Sequence, residues 1–474
     1  MNTHCKADPI RIQGPGRRSI VTDFNGGTLT SEGGALLLRE VDRIRNITSR
    51  LADCFVDARD PRRIEHSIGD LLRQRIYGLV LGHEDLNDHD ELRKDPLLAT
   101  VVGKVDATGA RRARERDQGA ALAGRSTLNR LEHSLQAEAA ESRYHRITAD
   151  GDAIERFFVD VFLDSYEAPP KRIVLDFDAT DNRLHGEQEE RFFHGYYGHY
   201  CYLPLYVFCD RHLLCAKLRP ANIDGAEGSL EVLQDLVEQI RARWPEVEIV
   251  VRGDSGFARD YLMTWCEANT VQYVLGLARN KRLEKQLEPT FQELEASFED
   301  ADGGAGRLYA DFQYRTVKSW DRERRVIGKA EITLGGRNPR FVVTSLSPSE
   351  IEARALYEQM YCARGEMENR IKEQQLDLFS SRTSGHLMRV NQMRLWLSGV
   401  AYVLFEALRS LALGGTELER ARCETIRLKL LKIGARVRVT TRKIWLSLST
   451  AYPHRGLWLS VMERLRQHGP PIPA

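Results

Sequence analysis

"PPKRIVLDFDAT", residues 169–180, is the stretch on which the fold turns. Two prolines open a run in which Ile173, Leu175 and Phe177 alternate with Val174, Asp176 and Asp178. A period of two marks a β-strand with one apolar face. The other face carries two carboxylates, and burying a carboxylate is costly unless a cation or hydrogen bonds compensate it.

The chain around this run continues the pattern. "CYLPLYVFCD" (201–210) and "HLLCAKLRP" (212–220) read as two more strands meeting at Asp210-Arg211. "GSLEVLQDLVEQIRARW" (228–244) places Leu230, Leu233, Leu236, Val237 and Ile240 on one side of a helix. "EVEIVVRGD" (246–254) is a buried strand ending in Asp254, "FARDYLMTWCEANT" (257–270) a helix and "VQYVLGLA" (271–278) a strand. The order β-β-β-α-β-α-β predicts an α/β fold, a mixed sheet between helices. A segment at 281–349 then intrudes, with strands in "GRLYADFQYRTVKSW", "RRVIGKAEITLGG" and "RFVVTSLS".

Residues 1–150 read as helical. "TSEGGALLLREVDRIRNITSRLADCF" (30–55) starts at Thr30 or Ser31 as N-cap, and "SIGDLLRQRIYGLVLG" (67–82) follows in the same style. "GKVDATGARRARERDQG" (103–119) is a basic loop, and "RSTLNRLEHSLQAEAAESRYHRI" (125–147) a helix. Past 383 the chain is helical, then "RVRVTTRKIWLSLS" (436–449) forms a basic hairpin or a hairpin mixed with helix.

The 474 residues exceed one compact core, so two to four domains are expected. Hydrophobic residues at 42% and charged residues at 29% suit a soluble globular protein. No apolar run approaches the roughly 18 residues of a membrane span, and "MNTHCKADPIRIQGPGRRS" lacks a signal-peptide core. Cytoplasmic residence, with no membrane partner, is the expectation. The eight cysteines form no C-x-x-C pair and read as reduced, mostly buried thiols. Net charge is +1, but from Ala421 onward eleven Lys/Arg face only Glu424 and Glu463. That tail is either a polyanion-binding surface or a solubilising one.

Functional side chains gather at strand ends in open α/β sheets, which singles out Asp178 and Asp254. A third carboxylate comes from "YCARGEMENRIKEQQLDLF" (361–379), where Tyr361, Arg364, Glu368 and Lys372 share one helical face. The plain reading of that face is a solvated stripe with a Glu368–Lys372 pair. The alternative is chemical. Asp178, Asp254 and Glu368 converging could hold two Mg²⁺ roughly 4 Å apart, with Mn²⁺ as substitute, for phosphodiester displacement. Arg364 then fits as a phosphate clamp and Tyr361 as a hydroxyl donor.

"LDFDAT", "HGYYGHYCYLPLYVF", "VVRGDSGF" and "YCARGEMENRIKEQQLDLFSSRTS" together resemble the DDE transposases of bacterial insertion sequences. The likeness is to the group with a Tyr-x2-Arg-x3-Glu-x6-Lys signature, nearest those of insertion sequence 1380, and spans about 20–470. It implies a ribonuclease-H-like core with a β-rich insertion before the helix bearing the Glu. The expected layout is therefore 1–168 helical and DNA-binding, 169–280 first part of the core, 281–349 insertion, 350–385 the Glu helix, and 386–474 a basic, mixed C-terminal region. Asp178, Asp254 and Glu368 match the metal-binding acids, and Tyr361 and Arg364 the first two signature letters. The chain departs at the last letter, where Gln375 stands in place of Lys; Lys372 is the candidate to take over its phosphate contact.

Asp176 competes with Asp178, which is preferred because the resembled motif places Thr two residues after the acid. Glu366 is rejected, since two residues rotate a helical side chain by about 200°. Trp320 is either packed core or a stacking platform for a displaced base. His185, His194 and His199 fit no compact zinc spacing. The implied activity is cutting of element ends and joining of 3′ hydroxyls to target DNA, by a homodimer on double-stranded DNA carrying the terminal inverted repeats, in a bacterial, nucleoid-associated setting. A ribonuclease-H-like, structure-selective nuclease and a transposase-derived DNA-binding regulator are the alternatives.

Overall fold

The computed structural model describes residues 9–135, 146–299 and 306–469. They fall into two compact units, one drawn from Met1–Ser49, Asp60–Leu131 and Ala407–Ala474, the other from Arg50–Arg59 and Glu132–Glu406.

The second unit is built on one mixed sheet. Its strands are β1 (Arg172–Ala179), β2 (Leu205–Cys209), β3 (His212–Lys217), β4 (Glu248–Gly253), β5 (Gln272–Leu277), β6 (Gly306–Tyr314), β7 (Arg324–Thr333) and β8 (Arg340–Thr344), in the spatial order β3-β2-β1-β4-β5-β8-β7-β6, with Gly336–Arg337 pairing on β7. β1, β4 and β5 run parallel, and every other pairing is antiparallel. The parallel neighbours need crossovers, supplied by α1 (Ser229–Arg243) before β4 and α2 (Asp260–Ala268) before β5.

Side-chain alternation sorts the two faces. Ile173, Leu175, Phe177, Ile249, Val251, Tyr273 and Leu275 pack with Leu233, Leu236, Ile240, Leu262 and Met263 of α1 and α2, and with Phe162 of the helix Gly151–Leu163. On the opposite face Val174, Val250, Val274, Ile327 and Val342 meet Leu356 and Tyr357. These last begin the helical segment that carries Glu368. Asp176 and Asp178 lie on this second face.

The segment 281–349 differs from a free-standing insertion. Its three expected strands are present, yet they extend the core sheet through β8, which pairs with β5 on one side and β7 on the other. The start of this segment, rich in Glu, forms the helix Lys281–Glu299, with Leu283, Leu287, Phe291 and Leu294 buried against the extended sheet. The spacing 283, 287, 291, 294 is that of an amphipathic helix.

In the first unit, helices Leu36–Arg45 and Ile68–Val80 form as read, and Pro96–Val102 is a further helix that no quoted stretch covers. Ser67 caps the second of them with a reciprocal Ser67–Asp70 box. The first departs from the expected cap: a 3₁₀ turn at Gly33–Ala35 precedes it, and the Thr30 hydroxyl donates to Asp95 at 2.7 Å. Residues Ile10–Gln13 and Ser19–Thr22 pair as a hairpin rather than a helix. The hairpin of 436–449 is present as Ala435–Val439 and Ile444–Leu448, joined by Leu29–Thr30. The long helix expected over 125–147 is seen at Arg125–Glu132, and residues 136–145 of it lie outside the described residues. Among the described residues the helical stretch Met388–Leu413 is long and apolar enough to cross a membrane, contrary to the expectation that no run comes close; 94% of its apolar window is buried inside the protein. Six of the described cysteines are buried thiols and Cys362 is exposed.

Candidate active site

Register brings the first two acids together. Arg252 of β4 lies opposite Asp176 of β1, and Gly253 opposite Phe177, so Asp254 follows one step later beside Asp178. β4 ends there because Asp254 turns the chain: the Gly256 N–H donates to Asp254 Oδ1 at 2.7 Å, and the Phe257 N–H to the Asp254 carbonyl.

The third acid arrives on a helical segment of uneven pitch. A π-helical turn at Leu356–Tyr361 gives way to a 3₁₀ turn at Cys362–Arg364, an α-helix at Gly365–Lys372 and another π turn at Glu373–Asp377. Such irregular turns recur where a helix must aim side chains at a site. Tyr361, Arg364 and Glu368 face the carboxylate side of the sheet. Arg364 Nη2 donates to Glu368 Oε1 at 2.7 Å, and its Nη1 lies 3.7 Å from Asp178 Oδ2. Glu368 thus pairs backwards with Arg364 and not forwards with Lys372, which is exposed.

Burial pushes the Asp178 carboxyl up to about 7; Arg364 works against that shift, while the charges of Asp254 and Glu368 add to it. Burial also raises the Tyr361 phenol, with Arg364 opposing and Asp254 adding. Asp178 therefore feels both other acids across a shared space. Tyr361 reaches that space because residue 276 is glycine: a Cβ there would lie 2.5 Å from Tyr361 Oη and 2.9 Å from the Ser255 nitrogen.

The rival acid is differently placed. Asp176 receives Arg252 Nε and Nη2, the latter at 2.7 Å, and Arg252 Nη1 donates to the Met360 carbonyl. Asp176 is thereby consumed in tying β4 and the Glu368-bearing segment to β1. Glu366, 71% exposed, pairs with Arg370. The Gln375 amide donates to the Asp181 carbonyl at 3.2 Å and Asn182 Oδ1 at 3.3 Å, anchoring the segment to the loop after β1. Arg252 and Gly276 escaped the sequence reading, and Gln375 was legible only as the break in the signature and not as an anchor; only the Arg in "VVRGD" offered a signal, as a cation on a Val-rich strand.

Trp320 is packed core and not a stacking platform. It is 5% exposed, edge-on against Tyr314 with the Arg324 guanidinium over its ring, so no face is free for a base. His199 pairs with Asp181 at 2.7 Å, His194 lies against Tyr197, and His185 is exposed.

Among the described residues no three His, Cys, Asp or Glu side chains stand close enough to form a ready metal-holding group. Arg364 sits between Asp178 and Glu368 in this state. The donor set nevertheless fits a hard divalent cation: three carboxylates, no thiol or imidazole, and at Asp178 a buried acid short of positive charge.

A family described as "Transposase DDE domain group 1" matches residues 13–470. Among solved structures, a piggyBac transposase in a cryo-EM synaptic complex with hairpin DNA is similar at 9% identity and a TM-score of 0.39, over 94% of this chain and 87% of that one. No curated protein matches.

Proposed function

The chain belongs to the DDE transposases, and from that premise we propose that Asp178, Asp254 and Glu368 are the acids with which it cuts element ends and joins their 3′ hydroxyls to target DNA. The observation that carries this reading is the convergence of the three acids: Asp254 follows beside Asp178 in the strand register, and Arg364 lies 3.7 Å from Asp178 and 2.7 Å from Glu368. Burial, Asp254 and Glu368 raise the Asp178 carboxyl to about 7 against the pull of Arg364. Nothing in folding rewards gathering two further carboxylates around a buried one; a cation bound among them does.

Divalent metal ions are general to DDE transposase domains, and here Mg²⁺, with Mn²⁺ in its place, would be held by Asp178, Asp254 and Glu368 and would supply an activated nucleophile and charge on the leaving oxygen. The chain's own residues do the rest. Arg364 presents its guanidinium on the rim of the acids and binds a non-bridging phosphate oxygen. Tyr361, held by the gap over Gly276, presents its hydroxyl to the same phosphate. Asp176 and Arg252 fix the spacing of β1, β4 and the Glu368 segment, so the acids keep their geometry while DNA changes from cleavage to joining. Both steps are in-line displacements at phosphorus and use one site.

The strand order β3-β2-β1-β4-β5, with β1, β4 and β5 parallel, supports a ribonuclease-H-like core. The signature supports a place near the insertion sequence 1380 group. We assign end recognition to the helical region 1–168 and the basic region 386–474, and synapsis of two ends to a homodimer, acting in the bacterial cytoplasm at the nucleoid.

Strand transfer with the element's own ends in Mg²⁺ tests this. The expected product is a 3′ end covalently joined to target DNA. Nicking without joining would mark a structure-selective nuclease, and binding without either would mark a regulator.

A further inference from the structure

The basic C-terminal stretch separates into two sets once its side chains are followed. Arg427 donates to the Val80 and Leu79 carbonyls, Lys429 pairs with Glu417 at 3.0 Å, Lys432 with Glu32 at 2.6 Å, and Arg464 donates to the Ala412 carbonyl at 3.1 Å. These cations hold their own unit together. The hairpin of Ala435–Val439 and Ile444–Leu448 is different. Its Arg436, Arg438, Arg442 and Lys443 are all exposed, and among the described residues none has a carboxylate partner. No Asp or Glu occurs between Glu424 and Glu463.

The hairpin's shape points the same way. Val437 is 5% exposed, but Val439 and Ile444, two rungs further out, are 37% and 40% exposed. The ribbon therefore leaves the core at that rung and projects. Thr440 closes the turn: its N–H and its hydroxyl both donate to the Lys443 carbonyl, at 2.9 and 2.7 Å. Arg438 lies opposite Trp445, with its guanidinium 5.6 Å from the indole centre and the Lys443 ammonium at 5.8 Å. Trp445 is 48% exposed. Charges on a strand can serve merely to keep a sheet edge from pairing. An exposed indole flanked by two cations defeats that purpose, because it offers apolar area to any neighbour.

We propose that this hairpin is a duplex-DNA-binding ribbon, in which Arg436, Arg438, Arg442 and Lys443 grip phosphates and Trp445 lies against the backbone between them. The occupant follows from charge: four cations without a carboxylate partner, in a segment without an acid, fit a polyanion. The proposal rests on the transposase reading, which supplies DNA as that polyanion. The indole holds two of the cations ready, so less side-chain freedom is given up on binding.

The test is fluorescence anisotropy of the full chain with a labelled random-sequence duplex over a range of KCl concentrations. The triple variant Arg438→Ala, Arg442→Ala, Lys443→Ala should lower the slope of log affinity against log salt by roughly 2 to 3, about 0.9 for each phosphate no longer neutralised. Trp445→Ala should weaken binding severalfold and Trp445→Phe should restore most of it. The pair Arg442→Glu, Lys443→Glu lies at the exposed turn and gives up only the contact of Lys443 with the Trp445 ring, so it keeps the test open should the triple variant fold poorly, and it should abolish most binding. An unchanged slope in the triple variant, or unchanged binding in the glutamate pair, overturns the ribbon while the wild type still binds DNA. Failure of the wild type to bind duplex DNA at all would instead strike at the transposase reading itself.

Discussion

Asp176 and Asp178 stand two residues apart on one face of one strand, each near an arginine, yet they are opposite in kind. Arg252 meets Asp176 with two hydrogen bonds, and the pair is 10% and 4% exposed. Arg364 meets Asp178 only at 3.7 Å, and gives its short bond to Glu368. Burial raises both carboxyls, but at Asp176 the bidentate guanidinium answers it, whereas at Asp178 two more carboxylates compound it. Asp176 is a structural ion pair and Asp178 is an acid left short of a cation. A folded chain tolerates such a deficit where a ligand makes it good.

Substitution separates the two most clearly. Asp178→Ala, Asp254→Ala and Glu368→Ala should each cut strand transfer by about three orders of magnitude or more, several kcal/mol of barrier, while leaving end binding nearly intact. Wild-type-like cutting by any one removes that residue from the site. Asp176→Ala should do the reverse. It strands a buried guanidinium, costs about 3 kcal/mol, and lowers the denaturant midpoint, with lost activity tracking lost fold. If Asp176→Ala is as stable as wild type but inactive, the two aspartates have been assigned the wrong way round.

A pH titration of stability is the next test. The Asp178 carboxyl is raised from 3.8 to about 7. Between those values the folded protein binds a proton that the unfolded chain has released, so stability falls as pH rises through that window. Below about 4 both states are protonated, and the penalty vanishes. In chelator the melting temperature should decline from about pH 4 to about pH 7, and Asp178→Asn should flatten that contribution. Adding Mn²⁺ near pH 7 should raise the wild-type melting point and leave Asp178→Asn unmoved. Equal metal shifts in both proteins would place the cation elsewhere.

Arg364→Ala is expected to act less drastically. Phosphate loses a bidentate partner, so strand transfer should drop about ten- to a hundredfold, the scale of one or two charge-assisted hydrogen bonds. Metal binding in the absence of DNA should persist or tighten, because the guanidinium no longer stands between Asp178 and Glu368. Calorimetry with Mn²⁺ reads this directly, and abolished binding would mean Arg364 supports the acids rather than the DNA.

Why the residues alone do not tell the two aspartates apart is a matter of range. Alternation in "RIVLDFDA" is local, so β1 and its carboxylate face were legible, as were the periodic helices that became α1 and α2. The trio Tyr361, Arg364 and Glu368 was legible because helical spacing survives even through π and 3₁₀ turns. What separates Asp176 from Asp178 is the register of β1 against β4, set by residues more than 70 positions away, and nothing in either stretch encodes it. The same holds for β8, whose insertion beside β5 turns an apparent β insertion into the far half of the core sheet. Trp320 is a case the sequence leaves open, packed core or stacking platform, and only Tyr314 and Arg324 closing around it decide for the core.

The smallest effect concerns Lys372 and Gln375, the point where the signature breaks. Gln375 is committed to the loop after β1 through the Asp181 carbonyl and Asn182, so a lysine there forfeits both bonds and strands the acceptors they satisfied. Gln375→Lys should therefore cost about 1 kcal/mol of stability and gain no activity. Lys372 is exposed, and Glu368 is already taken by Arg364, which leaves the ammonium available to a phosphate. Lys372→Ala should lower strand transfer a few-fold and reduce the salt slope by about 0.9, the share of one phosphate. The two variants answer each other. Raised activity in Gln375→Lys with Lys372→Ala neutral would mean that the signature lysine's hold on phosphate has disappeared from this chain rather than moved by one turn, and that Gln375 merely filled the vacancy.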